Sequence, residues 1–112
     1  MVATATELST AISDFVGRLE EGMLVDAIVL YGSYVHGNPH DWSDIDLAVV
    51  SPDFERVPMW RRQEMIASLT LERDRRIAPI GYPSSEYHDP GRHSFLREIM
   101  RTGKVVYGAP VS

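Results

Sequence analysis

The sequence has no cysteine, only one lysine and no long hydrophobic run. Without cysteine, a disulfide framework and a thiolate metal site are both excluded. The longest apolar run, residues 27–31, is far too short to cross a membrane. The first residues also lack the basic and apolar regions of a signal peptide. These absences predict a soluble cytoplasmic protein without a membrane partner, because a reducing compartment suits a chain that lacks cysteine.

Positive charge is also scarce. The chain has 11 Lys and Arg residues against 16 Asp and Glu residues, so its formal net charge is −5. This balance argues against direct nucleic-acid binding by general phosphate attraction, which needs a net basic face. Six arginines fall within residues 56–76, where three acidic residues oppose them. We interpret that segment first as a solvated helix face and second as a surface for an acidic partner or a triphosphate.

The residues that are present fit one globular domain spanning residues 1–112, with 44% hydrophobic and 24% charged residues. Apolar spacing and β-branched runs predict helices over 6–21, 58–73 and 93–101, a helical turn at 84–87, and strands over 24–31, 44–50, 77–82 and 105–107. Pro79 favours an edge position for the third strand. The order predicts an α+β or α/β domain with a small sheet, in which the first two strands are neighbours.

The most informative stretch is Gly32-Ser33 followed, after ten residues, by Asp44-Ile45-Asp46. Residues two apart on a strand face the same side, so Asp44 and Asp46 would present two carboxylates to one surface while Ile45 faces the core. Two carboxylates on one face repel each other, and a hard divalent cation such as Mg²⁺ relieves that repulsion. Gly32 lets a phosphate approach the backbone, and the Ser33 hydroxyl can donate to a phosphate oxygen. The pattern favours a triphosphate held by one element and its metal held by the other.

This motif, which follows the strand ending in Val29-Leu30-Tyr31, resembles the motif of the DNA polymerase β-type nucleotidyltransferase superfamily. The short length and the segments 77–82, 95–99 and 103–108 are similar to the minimal nucleotidyltransferases that pair with HEPN-domain proteins in toxin–antitoxin systems. The resemblance covers the chain from about residue 23 onward. It implies the nucleotidyltransferase fold, a small mixed β-sheet packed with helices.

The resemblance also implies a function and its residues. Asp44 and Asp46 would be the catalytic pair and would chelate Mg²⁺. Gly32 and Ser33 would hold the β- and γ-phosphates of ATP, and His36 would be a further, weaker phosphate contact. An acceptor hydroxyl would attack the α-phosphorus and expel pyrophosphate. In this subfamily AMP is transferred to a tyrosine of the HEPN toxin and silences its RNase activity, so the chain would act as an antitoxin.

Two alternatives remain open at this point. Active relatives place a third carboxylate on the next strand, where the alignment puts Ala78. Glu72 and Asp74 could replace it only if that alignment shifts by several residues. Without a third carboxylate the chain could be an antitoxin that binds its partner and does not catalyse transfer. The second alternative is the subunit of a small-molecule adenylyltransferase, whose acceptor pocket a partner chain would supply.

Two further groups of residues have more ordinary interpretations. His36 and His40 lie four apart with Asp41 close by, which is a weak indication of a transition-metal site and fits a loop better. In the second helix, a set of large side chains is available for packing against the core or a partner. These side chains are Met59, Trp60, Met65, Ile66 and Leu69.

Overall fold

The structure, a computed structural model, describes residues 2–40 and 43–108. Its elements in chain order are α1 (Ala5–Glu20), β1 (Ala27–Tyr31), α2 (Ser33–His36), β2 (Ile45–Ser51), a 3₁₀ turn (Pro52–Phe54), α3 (Met59–Leu69), β3 (Ile77–Pro83), α4 (Ser84–His88), α5 (Ser94–Thr102) and β4 (Lys104–Gly108). The strands form one mixed sheet in the order β3-β2-β1-β4. The predicted α+β class with a small mixed sheet is therefore confirmed.

Helix α1 begins where its sequence provides a capping box. The Thr4 side chain accepts a hydrogen bond from the Glu7 amide, and the Glu7 carboxylate accepts one from the Thr4 amide. These two bonds satisfy backbone donors that a helix start otherwise leaves unpaired. Further along, every buried residue of α1 falls on one face at helical spacing. The buried residues are Ala11, Ile12, Phe15, Val16 and Leu19.

The strand register places the ends of β1, β2 and β3 side by side. Strands β1 and β2 pair in antiparallel fashion with Tyr31 opposite Asp46, so the prediction that these strands are neighbours is confirmed. Strand β3 runs parallel to β2 and pairs Ala78 with Asp46. Strand β4 pairs antiparallel with the other side of β1. Asp46 consequently has Tyr31 on one side and Ala78 on the other.

Helices cover both faces of the sheet, which gives three layers. On one face, α1 and α3 pack on a core that contains Ile45 and Leu47, both fully buried. On the other face, α4 and α5 contribute buried side chains to a second cluster with alternate strand residues. Because side chains alternate along a strand, Asp46 belongs to this second face. The prediction that Ile45 faces the core is confirmed.

The outer edge of β3 is covered by side chains of α3. The Gln63 side-chain amide donates to the Pro79 carbonyl at 2.8 Å and accepts from the Gly81 amide at 3.0 Å. Arg62 donates to the Gly81 carbonyl at 3.1 Å. These bonds occupy backbone groups that an edge strand otherwise exposes to unwanted pairing. Pro79 lies on this edge strand, as predicted.

The structure changes two expectations about the helices. None of the predicted helices falls between residues 31 and 44, but Ser33–His36 form the one-turn helix α2. Trp60 and Met59 were expected to pack against the core or a partner. They do not pack into the core, because Trp60 is 68% exposed and Met59 is also exposed, and contact with a partner stays a prediction. Both lie in the first turn of α3, at its outer end, and the burial of this helix is centred on Ile66.

Helix α3 also ends four residues earlier than predicted, at Leu69. The reason lies at Thr70, whose hydroxyl donates to the Ile66 carbonyl at 2.6 Å in a buried position. Arg73 in turn donates to the Thr70 hydroxyl. Such local side-chain bonds compete with continuation of a helix.

Within the residues described, no helix is long and apolar enough to span a membrane.

Candidate active site

The candidate site lies where β1 ends and β2 begins. Asp46 is the second residue of β2 and is partly buried, whereas Asp44 precedes the strand and is exposed. Burial, and then the nearby charge of Asp44, raises the pKa of the Asp46 carboxyl above its usual range. Both causes act against the ionised form of Asp46. The sheet therefore holds Asp46 where burial and a neighbouring carboxylate both disfavour its charge.

Gly32 lies directly against this carboxylate. A Cβ atom built on Gly32 would overlap the Asp46 Oδ2 atom, so only glycine leaves room for the carboxylate here. Its backbone angles, φ 80° and ψ −152°, also belong to a region that is essentially restricted to glycine. The two halves of the sequence motif, ten residues apart, thus meet in space through Gly32 and Asp46.

The short helix α2 continues from this contact. Gly32 is its N-cap, and the Gly32 carbonyl accepts hydrogen bonds from the amides of Val35 and His36. The first amides of a helix have no acceptor within the helix. The amides of Ser33 and Tyr34 can therefore donate to an acceptor outside it. The Tyr34 hydroxyl accepts a hydrogen bond from the Ala3 amide at 3.0 Å, which ties α2 to the start of the chain.

His36 and His40 receive different positions. His36 is exposed and is the last residue of α2, one turn after Ser33. His40 follows in the loop, where its amide donates to the Ser43 hydroxyl at 2.8 Å. Asp41, the third member of the weak transition-metal hypothesis, lies outside the described residues. The phosphate-contact role of His36 stays a prediction.

The donor set at the site fits a hard divalent cation. In the ranges 2–40 and 43–108, no three His, Cys, Asp or Glu side chains come together as a metal-binding group. The site offers the carboxylate oxygens of Asp44 and Asp46. Magnesium is commonly held in this way, by one or two carboxylates together with substrate phosphates and water. The residues present are therefore compatible with Mg²⁺ delivered together with a phosphate ligand.

The neighbouring strand carries Ala78 where a third carboxylate would stand. Ala78 is the register partner of Asp46 on β3. Asp74 does not replace it, because its carboxylate pairs with the Arg76 guanidinium at 2.7 Å and lines a cavity of about 420 Å³ beside α1. Arg76 also lowers the pKa of Asp74 through this hydrogen bond. Glu72 lies in the exposed turn after α3.

Sequence reasoning missed Tyr31 and Phe95 as neighbours of the site. Tyr31 pairs with Asp46 in the sheet, and burial, followed by the Asp46 charge, raises the Tyr31 pKa to about 12. The Phe95 ring on α5 meets the Tyr31 ring edge-on, with centroids 6.0 Å apart. The antiparallel register of β1 and β2 could have indicated Tyr31. Nothing in the local sequence around Phe95 indicates its contact with a residue 64 positions away.

Comparison with known proteins adds a family to this geometry. The sequence model of one protein family, the nucleotidyltransferase domain, matches residues 10–92. This segment is about three quarters of the chain and includes all of the motif residues. The chain belongs to the nucleotidyltransferase domain family. Among curated proteins, none matches this sequence.

Two solved structures share the fold of this nucleotidyltransferase domain. A candidate nucleotidyltransferase of Sulfolobus solfataricus superposes with a TM-score of 0.69 at 14% identity, over 90% of this chain and 80% of that one. A toxin–antitoxin structure with AMP-PNP superposes with a TM-score of 0.55 at 23% identity, over 87% of this chain and 73% of that one. Both likenesses concern the fold. Helix α5 and strand β4 lie beyond the matched segment of this nucleotidyltransferase domain.

Proposed function

We propose that this nucleotidyltransferase domain binds a nucleoside triphosphate, most simply ATP, together with Mg²⁺ at Asp44 and Asp46. The contact between Gly32 and Asp46 carries the proposal, because it joins the predicted phosphate-binding turn to the predicted metal ligands. The raised pKa of Asp46 supports it, since a carboxylate held near another carboxylate gains from a bound cation. Family membership supplies the reaction class.

Each residue of the site has a role that its surroundings allow. Asp44 and Asp46 hold the metal, which when bound supplies positive charge to the phosphate oxygens. Gly32 leaves room for the Asp46 carboxylate directly beside the turn that would hold the β- and γ-phosphates, and Ser33 offers its hydroxyl as a donor. His36, one turn later, adds a weaker contact. The acceptor hydroxyl then attacks the α-phosphorus, and pyrophosphate leaves.

We further propose that the acceptor is a tyrosine of a HEPN-type toxin and that AMP transfer makes this chain an antitoxin. The toxin–antitoxin structure with AMP-PNP supports this proposal, because its fold is shared over most of both chains. The motif's resemblance to the minimal nucleotidyltransferases points the same way.

Ala78 favours a second candidate function. Its place beside Asp46 leaves β3 without a carboxylate to assist the acceptor hydroxyl. In that case the domain binds nucleotide and neutralises its partner by contact alone. Loss of this group weakens catalysis more than it weakens nucleotide binding, so the two candidates differ in transfer and agree in binding.

Label transfer separates the two candidates. The purified protein, Mg²⁺ and lysate of the source organism are mixed with ATP that carries a radioactive α-phosphate, and Asp46→Asn is run in parallel. A labelled protein band that is absent with Asp46→Asn establishes AMP transfer and reveals the acceptor. Binding of ATP that depends on Mg²⁺, without any labelled band, favours the binding-only antitoxin over the transferring enzyme. Absence of both contradicts the proposed function.

A further inference from the structure

An exposed aromatic ring lies beside the candidate site. Phe95 is 50% exposed although it is a large apolar residue, and its ring contacts Tyr31 edge-on at 6.0 Å. Isolated exposed apolar side chains are common, but this one adjoins a polar site and is held in place. An aromatic ring that is fixed and half-covered offers one accessible surface for stacking.

Helix α5 fixes the position of Phe95. Leu96 and Ile99 of this helix are buried against the sheet. At the start of the helix, the His93 ring accepts a hydrogen bond from the Leu96 amide at 3.3 Å and packs edge-on against Tyr82 at 5.4 Å. Because these contacts flank Phe95, its backbone does not depend on a ligand for its placement.

Phe95, Tyr31 and Asp46 form a row across one face of the sheet. Tyr31 and Asp46 are register partners, so their side chains leave the sheet on the same face, with Cβ atoms about 5 Å apart. The Phe95 ring lies one further ring contact beyond Tyr31. The Phe95 ring therefore lies one ring contact away from the residue that pairs with the predicted metal ligand. In a nucleotide, a ribose likewise separates the phosphate groups from the flat aromatic base.

We propose that Phe95 is the stacking residue for the nucleobase of the nucleotide bound at Asp44 and Asp46. The inference rests on the proposed function, since the phosphates must lie at the carboxylates for the base to reach Phe95. Because every base has a face that can stack, this contact gives affinity with little discrimination among bases.

The test compares a ligand that has a base with one that has none. Calorimetric titrations with Mg²⁺ measure the binding of ATP and of inorganic tripolyphosphate to the wild type and to Phe95→Ala. Phe95→Leu keeps an apolar contact with Tyr31 and serves where the alanine variant folds poorly. Trp60→Ala is the matched control, because it removes an exposed aromatic from α3 on the opposite face of the sheet.

The expected result is a selective loss. Phe95→Ala and Phe95→Leu should weaken ATP binding by about fivefold or more and leave tripolyphosphate binding unchanged, since base stacking contributes about 1–3 kcal/mol per base. Phe95→Trp should retain ATP binding, and Trp60→Ala should change neither ligand.

Other results overturn the inference in distinguishable ways. Unchanged ATP affinity in both Phe95 variants would show that the base does not stack on Phe95. If ATP affinity is unchanged and only label transfer falls, Phe95 and Tyr31 contact the acceptor instead. Equal loss of both ligands assigns Phe95 to the integrity of the phosphate site. If the wild type binds neither ligand, the proposed function itself fails, and the inference fails with it.

Discussion

Asp46 shows a conflict between stability and function within a single residue. Its carboxylate is partly buried, lies near Asp44 and has a raised pKa. A group whose pKa is raised on folding binds more protons in the native state, so stability falls as pH rises through its titration range. The native protein therefore retains an unfavourable charge at neutral pH, where a bound cation would compensate it.

Neutralising this charge should stabilise the protein without metal. At pH 7, Asp46→Asn should raise the free energy of unfolding by up to about 1 kcal/mol, a limit set by solvent screening of a group that is only partly buried. The gain should disappear as the pH falls below the ordinary Asp range near 3.8, where the wild-type carboxyl is itself neutral. Thermal unfolding at several pH values measures it. Asp14→Asn on α1, whose carboxylate pairs with Arg18, is the control and should bring no gain. A variant less stable than the wild type at pH 7 would contradict the account.

Gly32 is constrained twice, by its backbone angles and by the carboxylate against it. Gly32→Ala should lower the free energy of unfolding by about 1–3 kcal/mol for the strained backbone alone, and the overlap with Asp46 should add to this loss. Mg²⁺-dependent ATP binding should be lost as well. Gly91→Ala is the matched control, because Gly91 also has a positive φ, but a Cβ atom there meets no neighbour within 4 Å. Equal effects of the two substitutions on binding would show that the contact with Asp46 has no special role.

At the level of elements, helix α3 protects the edge of the sheet next to the site. Gln63 replaces a missing strand by pairing with both a carbonyl and an amide of β3. Removing one partner leaves backbone groups unsatisfied, which costs more than the net contribution of the bond. Gln63 thus supports, from the outer edge, the strand that carries Ala78 beside Asp46.

Gln63→Ala should destabilise the protein by about 1–2 kcal/mol, because two partly buried backbone groups of β3 lose their partner. Chemical denaturation measures this loss. The neighbouring Glu64→Ala removes only an exposed pair with Arg61 and should stay within about 0.5 kcal/mol of the wild type. If both variants behave alike, the side-chain bonds to β3 contribute nothing measurable.

Ala78→Asp tests the strand register. A third carboxylate beside Asp46 should lower stability without metal by up to about 1 kcal/mol through repulsion, and should increase the stabilisation that Mg²⁺ provides. Ala78→Asn, similar in size and uncharged, should show neither effect. If the wild type is a binding-only antitoxin, Ala78→Asp should also increase label transfer. A variant whose response to Mg²⁺ equals that of the wild type would place residue 78 away from the metal.

Across the whole molecule, the sequence predicted what depends on local periodicity and missed what depends on distant contacts. The alternation of charged and apolar residues around Ile45 predicted a strand with one face in the core. The spacing of apolar residues in α1 predicted the helix that packs on that face. The motif spacing predicted that Gly32 and Asp46 serve one site. They lie together because antiparallel pairing brings the start of β2 beside the end of β1. The exposure of Trp60 was not predictable, because helical spacing does not show which turns of a helix lie over the sheet. The contact between Phe95 and Tyr31 arises only when α5 crosses the sheet.

The central claim is that Asp46 and its neighbours form a magnesium-dependent nucleotide site. Calorimetric titration of ATP into the wild type, Asp46→Asn and Asp14→Asn, each with and without Mg²⁺, tests this claim most directly. The account predicts that the wild type and Asp14→Asn bind ATP only with Mg²⁺, and that Asp46→Asn loses at least about tenfold in affinity. Equal binding by Asp46→Asn, or binding by the wild type that does not depend on Mg²⁺, would contradict it.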